Sequence, residues 1–181
     1  MASGPQEVRP TGPVLGVFAH PDDAEICAGG LLATWSAAGR EVRAETLLSC
    51  DPTATFFDLP AAPPDPPRTV YNHSDHRTAG WIALDSVFPG SGNPHFFSEH
   101  LGEGLEVQEV HDVWLGWSNE PNHIEDVTAT FDAKVSALGK HESQLAEGIR
   151  FFEEWMRSEA KTAGAEAGVE LAEEFRVLDL S

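Results

Sequence analysis

Two short stretches of this chain crowd histidines and aspartates together, His20-Pro21-Asp22-Asp23 and His73-Ser74-Asp75-His76. In the first, the apolar run Val17-Phe18-Ala19 ends abruptly in a histidine and two adjacent carboxylates. Adjacent carboxylates repel and are costly to desolvate, so they call for a solvated turn or a bound cation. In the second, two imidazoles three residues apart flank the start of a helix. The two stretches together offer two imidazoles and a carboxylate to a metal, with two aspartates and a histidine left over. Three protein ligands and one open position make the catalytic zinc pattern. Metal-assisted hydrolysis also needs spare groups, one to take a proton and one to steady a developing oxyanion. So many imidazoles favour a borderline metal over Mg2+, which argues against a magnesium phosphohydrolase built on the paired aspartates. Each stretch alone has a plainer reading: a turn for the first, a helix cap with Asp75 against the dipole for the second. Their coincidence points to a metal. His95, His100 and His111 lack such company and read as surface or core residues.

The elements that must position these groups follow from pattern. Pro13 to Ala19 is a short apolar run that reads as a buried strand, and Glu25 to Ala38 as a helix despite the costly Gly29-Gly30 pair. Thr46 to Cys50 reads as a second strand. The proline-dense stretch Asp58 to Val70 can be neither a central strand nor a helix interior, and its length suits an unstructured loop or a functional lid. Ser74 is a natural N-cap for a helix stopped at Pro89-Gly90. Val110 to Trp117 and Ile124 to Val127 read as strands, Phe131 to Gln144 as a helix, then a helix through Phe151 to Gly164 and a last short strand around Phe175 to Leu178. The alternation predicts an α/β three-layer, Rossmann-like domain with a mostly parallel sheet, in which sites form beyond the carboxyl ends of strands. The His20 stretch lies at such an end.

Composition narrows the partners. Eleven basic residues against thirty acidic ones give a formal net charge of −19. Nucleic acid needs a basic footprint and anionic lipid an attractive one, so neither is expected as a partner. No apolar run reaches the roughly 18 residues of a membrane span, and the opening MASGPQEVRP has no basic and apolar leader, so a cytoplasmic location is expected. Cys27 and Cys50 are too few for a disulfide framework. A homo-oligomer is compatible with all of this.

The stretches AHPDDAEICAGGLLATWSAAG and YNHSDHRTAGWIALDSVF resemble the LmbE/PIG-L family of metal-dependent N-deacetylases, and FDAKVSALGKHESQ is similar to a third segment of that family. The resemblance implies a Rossmann-like fold and hydrolysis of N-acetyl groups from N-acetylglucosamine conjugates, a small-molecule amino-sugar substrate. It makes His20, Asp23 and His76 the ligands of Zn2+, with Fe2+ the alternative ion. Asp22 becomes the general base, Tyr71 and His73 the groups that meet charge on the amide oxygen, and Asp75 the partner that orients His73. Glu25 starts the first helix, and His141 matches a recurrent histidine of the third segment. Asn122-His123 is either a loop over the pocket or a turn. Rival functions are an amidase for a thiol-sugar conjugate or a glycopeptide, and a catalytically silent metal-binding module.

The match breaks near residues 41–45. Ala37-Ala38-Gly39-Arg40-Glu41-Val42 reads as the first helix entering a strand, yet it runs at once into the strand that precedes the His73 stretch. About one or two βα units are missing, at roughly 30 residues or more per βαβ unit. With them would go the arginine and aspartate that family members use on the sugar. The expectation is a single domain over residues 1–181 from which an internal segment is missing at this junction.

Overall fold

The computed structural model describes residues 14–39, 46–59, 68–145 and 148–180. The junction near 41–45 and most of the proline-dense stretch therefore lie outside the described residues. The elements are β1 (Val14–Val17), α1 (Asp23–Ala37), β2 (Thr46–Cys50), β3 (Phe56–Leu59), β4 (Arg68–Tyr71), α2 (Ser74–Asp85), α3 (Ser98–Gly102), β5 (Asp112–Gly116), β6 (His123–Asp126), α4 (Phe131–Leu138), α5 (Ile149–Ala167) and β7 (Ala172–Asp179). Five strands form one sheet in the order β1-β2-β5-β7-β6. β1, β2 and β5 pair in parallel, and β7 runs against both β5 and β6, so four of the five strands point the same way. The mostly parallel, three-layer expectation holds.

Side chains alternate across the sheet and fill both faces. Leu48, Trp114 and Phe175 pack on one side with Cys27, Ala28, Leu31 and Trp35 of α1. Leu47, Val113 and Leu115 pack on the other with Ala83 of α2. β2 is buried at every position because it has strands on both edges and helices on both faces. β1 differs from its expected buried state. It is the edge strand, and Leu15 is half exposed. Strands β3 and β4 pair antiparallel in a separate hairpin, so both ends of the proline-dense stretch are extended.

The costly Gly29-Gly30 pair has a structural reason. α1 kinks at Ala28, whose φ of −144° and ψ of 22° are not helical. The helix restarts beyond the kink with its N–H groups unpaired, and the Glu173 carboxylate of β7 accepts from Gly30 N at 3.0 Å and Leu31 N at 2.8 Å. Lys134 of α4 completes the arrangement, its Nζ lying 2.7 Å from Glu173 Oε1. A Cβ on Gly30 would lie 2.7 Å from Val127 Cβ, and one on Gly29 2.8 Å from Lys134 Cγ, so only glycine lets α4 and the turn that leads into it from β6 approach this closely.

Two other boundaries shift. α4 ends at Leu138, short of Gln144, with Gly139 at its C-cap position in a right-handed conformation. α2 ends at Asp85 and passes into a wide turn at Ser86–Ser91 that contains Pro89-Gly90. At Gly80, α2 crosses the end of β2 so tightly that a Cβ would lie 2.4 Å from Cys50 O. Gly80→Ala is expected to cost about 1–3 kcal/mol by overpacking, read as a lower denaturation midpoint in urea. A midpoint equal to that of the parent chain would contradict this packing.

Candidate metal centre

His20 lies just beyond β1, and Asp23 opens α1 three residues later. The Asp23 carboxylate folds back over this loop: its Oδ2 accepts from Ala19 N at 3.1 Å and His20 N at 2.8 Å. His76 comes from the first turn of α2, on the other face of the sheet. Asn72, fully buried, holds its ring: Asn72 Oδ1 lies 3.3 Å from His76 Nδ1, and Asn72 Nδ2 donates to Ala54 O at 2.7 Å. The Trp117 ring lies against the same imidazole, with centroids 4.8 Å apart.

These supports bring two imidazole nitrogens and both oxygens of the Asp23 carboxylate together. His20 Nδ1 lies 3.2 Å from His76 Nε2 and 3.4 Å from Asp23 Oδ2, and His76 Nε2 lies 3.2 Å from Asp23 Oδ1. Donors about 2.0–2.2 Å from a tetrahedral ion sit about 3.3–3.6 Å from one another, so these separations match three corners of a zinc-sized site. Two imidazole nitrogens and a carboxylate oxygen at this spacing also suit a borderline dication chemically. The set fits a metal ion. Burial pushes the Asp23 carboxyl upward, but the His76 ring, the His20 N–H and the charge of both imidazoles outweigh it and hold it below the ordinary 3.8.

The neighbouring groups gather around this point. A cavity of about 1030 Å³ is lined by His20, Asp22, Asp23, Tyr71, His73 and His76. Asp22 sits at the N-cap position of α1 but makes no side-chain cap hydrogen bond. His73, not Ser74, caps α2: its Nδ1 accepts from Asp75 N at 3.2 Å. That bond places the proton of a neutral ring on Nε2. The Asp75 carboxylate is outside the cavity lining, with Oδ2 3.5 Å from His20 Nε2 and 3.7 Å from His73 Nδ1. Arg77 donates to the Tyr71 hydroxyl and lies over its ring, with 4.9 Å to the centroid.

Other residues fall elsewhere. His141 Nε2 lies 3.3 Å from Glu25 Oε2, and neither residue lines the cavity. Asn122 binds the backbone of Val177 at both its amide atoms, and His123 opens β6 packed on Trp114, so this pair belongs to the sheet and forms no loop over the cavity. His95, His100 and His111 take no part. Asn72, Trp117 and Arg77 are contributors that the sequence did not flag. Only Asn72 had a signal, its place inside the Tyr71 to His76 stretch. Asn72→Ala is expected to leave the fold intact and weaken metal binding about 10- to 100-fold, measured by competition with a chelating dye; an unchanged affinity would deny Asn72 this orienting role.

No family model matches the chain. Over 114 residues, 62% of the chain, it is 31% identical to the diacetylchitobiose deacetylase of Thermococcus kodakarensis. The match spans 42% of that protein, so the chain covers less than half the length of this relative. In three dimensions it superimposes on the N,N'-diacetylchitobiose deacetylase of Pyrococcus horikoshii in complex with its inhibitor MPG, with a TM-score of 0.75 over 92% of this chain and 84% of that one, at 21% identity. The fold is the deacetylase fold. The conserved protein TT1542 from Thermus thermophilus shares it at a TM-score of 0.64 and 17% identity, over 91% of this chain and 94% of that one. The resemblance carried by the His20 and His73 stretches is thus borne out in sequence and in the deacetylase fold. Among the described residues, no helix is long and apolar enough to cross a membrane.

Proposed function

We propose that the chain is a zinc-dependent hydrolase that removes an N-acyl group, acetyl above all, from a small amino-sugar conjugate. The observation that carries this reading is the set of His20, Asp23 and His76 donors at tetrahedral spacing on the wall of a cavity that Asp22, Tyr71 and His73 also line. The likeness to two diacetylchitobiose deacetylases supports the substrate class. The domain is read as running over residues 1–181 with an internal segment missing near 41–45. That segment would have carried contacts to the sugar.

His20, Asp23 and His76 would hold the metal ion, which when bound supplies Lewis acidity to water and to the acyl oxygen. Asp22, beside a ligand but free of cap duty, takes the proton as water adds to the acyl carbon. His73, with its Nδ1 engaged by Asp75 N, presents an Nε2–H to the oxygen on which charge develops. Tyr71, whose hydroxyl oxygen accepts from Arg77, keeps its own O–H to donate to the same oxygen. The carbon–nitrogen bond then breaks, the amine takes the proton from Asp22, and acetate leaves.

The test is chelation followed by readdition. Deacetylation of an N-acetylglucosamine conjugate is expected to vanish with a chelator and return with Zn2+, with Fe2+ as the comparison ion. A chain that melts on chelation and never turns over the conjugate would instead be a metal-stabilised binding module.

A further inference from the structure

We propose that His20, His73 and Asp75 form an outer cation site through which a divalent metal ion passes on its way to His20, Asp23 and His76. The inference rests on the inner set being the metal centre. The described residues contain two groups of donors that could share an ion, and His20 belongs to both. Its two ring nitrogens face different ways: Nδ1 looks to Asp23 and His76, and Nε2 lies 3.5 Å from Asp75 Oδ2.

Side-chain exposure falls steadily along this line, from 59% at Asp75 and 56% at His73 through 37% at His20 to 17% at His76 and 4% at Asp23. A hydrated dication therefore meets the outer donors first. They can replace part of its water shell before it reaches a carboxylate closed off from solvent. Asp75 and His73 are more than half exposed, so water competes with them for the ion and this site holds it weakly. Occupying it also draws the His73 Nδ1 lone pair away from Asp75 N, and the cap re-forms once the ion has moved inward. Because a neutral imidazole has a single ring lone pair, His20 serves one set at a time, and the two sets act in succession on one ion. The net charge of −19 draws cations toward the entrance.

The experiment mixes the metal-free chain with Co2+ in a stopped-flow instrument and follows the visible absorption of the bound ion; release is followed by adding excess chelator. In His73→Ala and in Asp75→Asn the association and dissociation rate constants are expected to fall together, by about tenfold, with Kd unchanged. A stepping-stone alters the rates in both directions equally and leaves the end state alone. The neutral His73→Ala separates a lost donor from a lost charge. In Asp23→Ala, weak Co2+ binding should persist at the outer donors and disappear in Asp23→Ala/His73→Ala. Circular dichroism shows that each variant is folded. The proposal is overturned by association rates equal to the parent's, or by a weakened Kd with faster release, which would make His73 and Asp75 part of the inner set. Two Co2+ ions bound at once would overturn it too. A parent chain that binds no Co2+ would remove the metal centre itself, a result distinct from the others.

Discussion

Asp22→Asn is expected to lower turnover of an N-acetylated amino sugar by about 10²–10⁴-fold, the range for loss of a general base. Metal content should remain that of the parent. The substitution nearly preserves shape, and the Asp22 side chain caps nothing, so α1 has no reason to move. Asp23, the neighbour, keeps its bonds from Ala19 N and His20 N and its place beside His76. Loss of turnover with metal retained therefore separates proton transfer from ligation, two jobs given to adjacent carboxylates. Elemental analysis and a deacetylation assay on one preparation decide the matter. Turnover close to the parent's would exclude Asp22 as the base, and lost metal would place it among the ligands.

Lys134→Met should destabilise the fold by about 3–5 kcal/mol, the cost of stranding one charge of a buried pair. Lys134 and Glu173 are both nearly inaccessible to water, and Glu173 also holds the two N–H groups at the restart of α1. Without the ammonium, the carboxylate remains buried against neutral donors alone. Glu173→Gln in the Lys134→Met background should recover part of the loss, because the stranded charge goes while a glutamine oxygen can still accept from Gly30 or Leu31. Urea denaturation of the two single variants and the double closes the cycle. If the single variants add up to the double, Lys134 and Glu173 do not act as a pair. The kink they hold lies five residues beyond Asp23, so the variant that unsettles it should also bind metal less tightly.

The candidate site was readable because it is made of two local motifs. Val14 to Val17 needs only its apolar neighbours to read as a strand, and His20-Pro21-Asp22-Asp23 follows it directly. The start of α2 is equally local, although its capping group is His73 and not Ser74, a choice made by the imidazole reaching Asp75 N across two residues. The position of β7 was not readable. It enters between β5 and β6 against their direction, and pairing partners that lie far apart in sequence leave no periodic signal.

What the amino-acid sequence determined by itself is the chemistry: which imidazoles and carboxylates exist, their spacing within each motif, and the strand and helix ends that present them. Period, capping and residue type act over a few positions, so they survive in a linear reading. Tertiary structure alone decided which atoms meet. The 3.2–3.4 Å spacing of His20, Asp23 and His76 requires β1 and α2 to be held by the same sheet. The kink at Ala28 requires Glu173 and Lys134, from β7 and α4, to arrive together at Gly30. Such contacts join residues more than 50 or 100 positions apart, and only packing around a common core fixes them.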